Sequence, residues 1–246
     1  MELRKEIGGI YMSIEFHLKK IPLKNSILIT GFHGLGATGF ITIKHAVTSL
    51  RAELIGYITT DLMPPFVCMD DDRVSLPFEI YKYEDYVFVL TNVPPHAKER
   101  QRFSRALAEW AIKEKFDKAY LIGGLDGRLK PSDNDKIRCV PTSNFERKID
   151  IPILEKGLFV VGPLAIILSH FEINGFPAIA LLPYANPSRP DPMAAAIAIE
   201  FINKLTGLSI DASQLISDAN KIEEEIQELL KQRQERIRKD HKVLYI

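Results

Sequence analysis

Residues 34–39 read Gly34-Leu35-Gly36-Ala37-Thr38-Gly39, the G-x-G-x-x-G spacing that lets a strand-to-helix turn bring its backbone against a pyrophosphate. Asp61 closes the next expected strand, where a ribose-binding acid belongs. Together they define one hypothesis, a nucleotide- or nucleoside-binding enzyme. Glycines also serve where a helix crosses a strand closely with no ligand present. The second strand runs straight into Met63-Pro64-Pro65, and no substrate residues accompany the motif, so packing is the preferred reading. The other reactive residue types fare no better. Asp70, Asp71 and Asp72 are consecutive, and consecutive loop carboxylates point apart, which favours a solvated loop over a cation site. Ser169, His170 and Glu172 share a helix end, where neighbouring side chains diverge and form no nucleophile–base pair. His33 is a solitary histidine and supports no mechanism by itself. Gly123 to Gly127 lies where an α/β sheet binds ligands, but a turn explains it. No catalytic residue, metal ligand or cofactor is assigned, and the expectation is a non-enzyme.

The last residues offer recognition chemistry instead. The sequence closes Asp240-His241-Lys242-Val243-Leu244-Tyr245-Ile246, whereas fraying chain ends are normally polar. A phenol ring fills a half-wet pocket well. A terminal carboxylate suits capture by a lysine or a backbone nest. Leu244, Tyr245 and Ile246 are therefore read as a docking tag, against the alternative that they fold back onto the chain's own core.

The chain has 246 residues, 46% of them hydrophobic, enough for a large α/β core. Lys plus Arg equals Asp plus Glu at 32 each, so neither nucleic acid nor an anionic membrane is expected as a partner. Two distant cysteines, Cys68 and Cys139, suit a reducing cytoplasm. No secretory leader and no membrane-spanning stretch is read, which points to a cytoplasmic protein.

The elements that carry these residues follow from hydrophobic patterning. Residues 10–16 fit an edge strand, and 26–30, 53–60, 73–81, 86–91, 118–123, 138–142 and 176–182 read as further strands, the last closed by Pro183. Residues 159–162 read as a strand or a turn. Helices are expected over 37–50, 96–115, 164–172 and 191–205, the last with Asp191 as cap, Pro192 in its first turn and Gly207 as stop. Strands alternating with helices imply a mainly parallel sheet covered on both faces, over residues 1–210. Residues 211–239 hold no proline or glycine, and Leu215, Ala219, Ile222, Ile226 and Leu229 recur at heptad spacing. That helix, roughly 40 Å long, is read with its tail as a second unit, 211–246. Its seam is a candidate oligomerisation surface, unless it packs on the preceding helix as a hairpin.

With these segments in place, the chain resembles the PAC2 family of proteasome assembly chaperone homologues. The resemblance rests on Ile29 to Gly39, on Leu90-Thr91-Asn92-Val93-Pro94-Pro95, on Tyr120 to Leu125, and on Gly162 to Ala165 with Gly175 to Leu182. It implies a fold similar to purine nucleoside phosphorylases without their catalytic residues, a closed homo-oligomer of about four or five subunits, and proteasome-related function. The final tripeptide resembles the hydrophobic–tyrosine–any-residue tail by which proteasome activators engage the 20S α-ring. The resemblance implies an assembly chaperone homologue or an ATP-independent activator, and no Walker motif is present to suggest an ATPase. A homologue with a packed, inactive tail and another assembly role is the first alternative, and the nucleotide-binding enzyme the second.

Overall fold

The computed structural model describes residues 6–7, 10–11, 13–70, 72–146 and 150–243, with side chains described within 13–229. The first strands are β1 (Glu6–Ile7), β2 (Ile10–Tyr11), β3 (Ile14–Leu18) and β4 (Ile27–Gly31), followed by helix α1 (Thr38–Ser49). Next come β5 (Glu53–Thr60), β6 (Cys68–Asp70), β7 (Arg73–Ser75), β8 (Phe78–Tyr83), β9 (Tyr86–Thr91) and α2 (Arg100–Lys113). Then follow β10 (Lys118–Ile122), β11 (Leu125–Asp126), β12 (Ile137–Pro141), α3 (Pro163–Ile173), β13 (Ala178–Ala185), α4 (Pro192–Thr206) and α5 (Ser213–Val243).

Among the described residues nine strands form the main sheet, in the order β11-β13-β10-β4-β9-β8-β5-β3, with β12 also paired to β13 off that path. The four central strands β13, β10, β4 and β9 pair in parallel. The short β11 also pairs with β13 in parallel, whereas β8, β5, β3 and β12 pair antiparallel, so the sheet is mixed. Strand period two splits the apolar residues between two faces. Leu28, Val89, Leu121 and Ala180 meet Phe103, Trp110 and Phe171 of α2 and α3. Ile29, Phe88, Ile122 and Leu181 meet Ile43, Val47, Ala195 and Ile199 of α1 and α4. Because both faces are covered, the central strands read as continuous apolar runs.

Local chemistry sets the ends. The Asp191 carboxylate accepts the Ala194 N–H at 3.0 Å, and Gly207 takes the left-handed conformation at φ 77° that stops α4. Three expectations need correction. The expected strand 73–81 is two strands, broken at Leu76 and Pro77. Its first part pairs with β6 as a separate hairpin that the acidic run 70–72 had hidden as a loop. Residues 159–162 form no strand. Pro183 does not close β13. Its neighbour Tyr184 donates to Lys136 on the β12 side, so Pro183 faces the gap between β10 and β11. There a missing N–H breaks no ladder bond.

Candidate functional site

The glycine loop leaves β4, makes one 3-10 turn over Leu35–Ala37 and enters α1. Gly31, Gly36 and Gly39 are packing devices. A Cβ on Gly31 would stand 2.6 Å from the Cα of Gly39, and one on Gly39 would stand 2.5 Å from the Ile122 carbonyl oxygen. Gly36 combines φ 62° with neighbours at 2.9 Å from a Cβ placed there, the methyl of Ala185 and the Cβ of Asp191. Its carbonyl accepts the Asp191 N–H at 2.8 Å, which ties the loop to the start of α4. Asp61 is not the ribose partner of this loop. It follows β5, which is separated from β4 by β9 and β8 and pairs antiparallel with β8. Its carboxylate accepts from Ser13 instead. The dinucleotide geometry needs those two strands side by side and parallel, so the motif matches in sequence and fails in space.

The remaining reactive residues serve structure. Asp70 takes Lys44 at 3.1 Å and Arg73 at 2.7 Å, whereas Asp72 is exposed. Asp71 lies outside the described residues. No group of three or more metal-type side chains occurs among the described residues. Glu172 accepts from the Ser143 N–H and hydroxyl at 2.7 and 2.5 Å, and these bonds hold its carboxyl below the usual range. His170 stands 3.9 Å from Glu109. Ser169, His170 and Glu172 therefore do not converge.

A buried polar cluster escaped the sequence reading. Glu79 on β8 is fully buried, and its carboxylate accepts from Arg73 at 2.7 Å, Tyr81 at 2.6 Å, Leu76 N–H at 3.0 Å, Ser75 at 3.2 Å and Asn92 at 3.2 Å. Burial alone would raise its pKa, but the bonds from Arg73, Tyr81 and Leu76 outweigh burial and hold it below the usual value. Burial and the Glu79 carboxylate together push the Tyr81 phenol up. This cluster fastens the β6–β7 hairpin, whose Val67, Met69 and Val74 are exposed. The signal available in sequence was an acid inside an apolar strand, Phe78-Glu79-Ile80-Tyr81.

One crevice opens between the carboxyl ends of β4 and β10. It has a volume of about 290 Å³ and is bounded by residues 32–35, 122–126, 158–161 and 163–164 with Leu129 and Leu182. Phe159 and Val161 on its rim are 78% and 70% exposed. His33 stacks on Phe40 at 4.3 Å, its Nδ1 is buried without a hydrogen-bond partner, and burial lowers its pKa.

Of the seam residues on α5, Leu215 is buried in the core beside α4. Ala219, Ile222 and Ile226 are half-buried, and Leu229 is 64% exposed. Arg189, just before α4, meets Glu223 at 3.0 Å, so α5 runs back along α4 as a hairpin. The helix continues 20 residues beyond Glu223, to Val243. Leu244, Tyr245 and Ile246 lie outside the described residues.

The pattern of the PAC2 family matches residues 28–230, most of the chain. The chain belongs to the PAC2 family. An uncharacterized protein of Methanocaldococcus jannaschii is 26% identical over 228 residues, covering 91% of this PAC2 chain and 93% of that protein. Among solved structures, Pyrococcus furiosus PbaA, an archaeal homolog of proteasome-assembly chaperone, shares the fold with a TM-score of 0.78. That match is 22% identical and covers 95% of this chain and 99% of PbaA. Pyrococcus furiosus PbaB, an archaeal proteasome activator, shares it with a TM-score of 0.72 at 17% identity, covering 89% of this chain and 98% of PbaB.

Proposed function

We propose that this PAC2 chain is a non-enzymatic, cytoplasmic, proteasome-associated protein. It acts as an assembly-chaperone homologue or ATP-independent activator and docks on the 20S α-ring through Leu244, Tyr245 and Ile246. The observation that carries this reading is the likeness over nearly the whole lengths of PbaA and PbaB. The course of α5 past the Arg189–Glu223 contact is consistent with a delivery arm. Tyr245 enters a pocket between α-subunits, the Ile246 carboxylate pairs with a lysine there, and Leu244 adds apolar contact. The packing role of the glycine loop and the displaced Asp61 speak against the nucleotide-enzyme alternative.

A three-residue anchor binds with a dissociation constant of roughly 10 μM to 1 mM. Several anchors on one scaffold raise avidity by about 10²–10⁴. Avidity therefore asks for a homo-oligomer, and the family resemblance suggests a closed one of about four or five subunits with its tails on one side. The test is peptide hydrolysis by 20S particles mixed with the full chain. Stimulation is expected, and Tyr245→Ala or removal of residues 244–246 abolishes it without changing the fold. Residues added beyond Ile246 abolish it too, because they move the carboxylate. Full stimulation by an extended variant refutes tail docking, and no stimulation by an intact oligomer favours the packed-tail homologue.

A further inference from the structure

We propose that the crevice between the carboxyl ends of β4 and β10 binds a free, neutral, mainly apolar small molecule about the size of an indole ring. Position is the first argument. The chain leaves β4 through α1 on one face of the sheet, whereas after β10 it continues in the sheet as β11 and β12, and α3 follows on the other face. Neighbouring strands whose connections part in this way open a crevice at their carboxyl ends, the place where open α/β sheets bind ligands.

Size and lining set the chemistry. The volume of about 290 Å³ is roughly twice that of an apolar cavity of ~150 Å³ that takes benzene. The walls include Phe32, Leu35, Leu125, Val160, Leu164 and Leu182. Among the described residues no lysine or arginine lines the crevice. Asp126, the acid of its wall, is engaged by Arg128 at 2.5 Å. Burial lowers the pKa of His33, which disfavours its charged form. A phosphate or carboxylate ligand would lose its hydration here without gaining a cation, whereas a neutral ring loses only apolar contact with water. This separates the crevice from a nucleotide site on physical grounds.

Gly34 is the second, independent observation. The other glycines of the loop are filled by neighbours, but a Cβ on Gly34 meets nothing within 4 Å. Its φ of −107° lies on the side any residue adopts. Packing does not demand glycine there. What its missing side chain does is leave the crevice open. Phe159 and Val161 at the rim leave apolar surface that a bound ring would cover.

The inference goes beyond the proteasome reading and uses none of its residues. The experiment is titration of the full-length protein with indole and with naphthalene, followed by nuclear magnetic resonance, alongside AMP and inorganic phosphate. Saturable one-to-one binding of a ring probe is expected, with none of AMP or phosphate. Gly34→Leu fills the crevice and Val161→Glu sets a charge at its rim. Each is expected to weaken probe binding by about ten-fold or more, while the ligand-free melting temperature is kept. Tighter binding of AMP than of indole overturns the proposal, as does failure of both rings to saturate. Binding indifferent to both variants also overturns it. If no probe binds and Gly34→Leu instead breaks self-association, the crevice is a subunit contact and the proposal is wrong.

Discussion

Arg73→Met is the sharpest perturbation of the buried cluster, because it removes the cation and leaves the Glu79 carboxylate in place. Breaking a buried ion pair from one side costs about 3–5 kcal/mol. Two features reduce that figure here. Arg73 is 33% exposed, so water reaches part of the site. Glu79 also keeps the donors of Ser75, Leu76, Tyr81 and Asn92. The expected loss is therefore about 2–3 kcal/mol. For a chain of this size that is a fall of about 4–12 °C in melting temperature.

Urea unfolding read by the fluorescence of Trp110 measures it, since this lone tryptophan is fully buried against Phe16 and Phe116. Glu79→Gln supplies the matched variant. On that background Arg73→Met costs little, because no buried charge is left unpaired, and the coupling reaches at least about 1 kcal/mol. The sign of the pH dependence follows from the direction of the shift. Glu79 is depressed in the folded chain. Its stabilisation is thus present above the ordinary carboxylate range and lost as pH falls through its lower folded value. Glu79→Gln flattens that acid limb. Arg73→Met costing under about 0.5 kcal/mol, or adding independently to Glu79→Gln, refutes the view that one ion pair organises the cluster.

Other outcomes follow from named contacts. Gly36→Ala forces a side chain into a left-handed conformation, at about 1–2 kcal/mol, and crowds Ala185 and Asp191 as well, so calorimetry is expected to show a clear fall in melting temperature. Asp191→Ala removes the cap of α4 and costs about 1 kcal/mol in urea unfolding. In light scattering, a monomer that still stimulates the proteasome strongly contradicts the avidity argument.

The sequence disclosed most where one local rule decides an element. Asp191, Pro192 and Gly207 bound α4 by chemistry that acts over a few residues, and the structure places those boundaries where the residues ask. It disclosed least where distant strands decide. Gly34 to Gly39 and Asp61 satisfy a dinucleotide spacing, yet spacing along a chain does not say which strands become neighbours. Here β9 and β8 come between β5 and β4, a pairing fixed by residues 78–91 that the motif does not contain. Glu79 shows the converse. One acid in an apolar strand reads as an anomaly until Arg73 and Tyr81 stand beside it, and then it marks where the β6–β7 hairpin is fastened. Along α5 the seam spacing predicted a helix and left open what covers it, because Leu215 and Leu229 occupy equivalent positions in the repeat. One is buried beside α4 and the other is exposed. Periodicity fixes which face is apolar. What covers that face depends on how far α4 extends beside it, and Arg189 meeting Glu223 marks where that support ends. Among the described side chains beyond that point, Ile226 is half-buried and Leu229 is exposed. An apolar residue such as Leu229 is stabilising there only if another surface covers it, which is the physical reason to look for a partner along this arm.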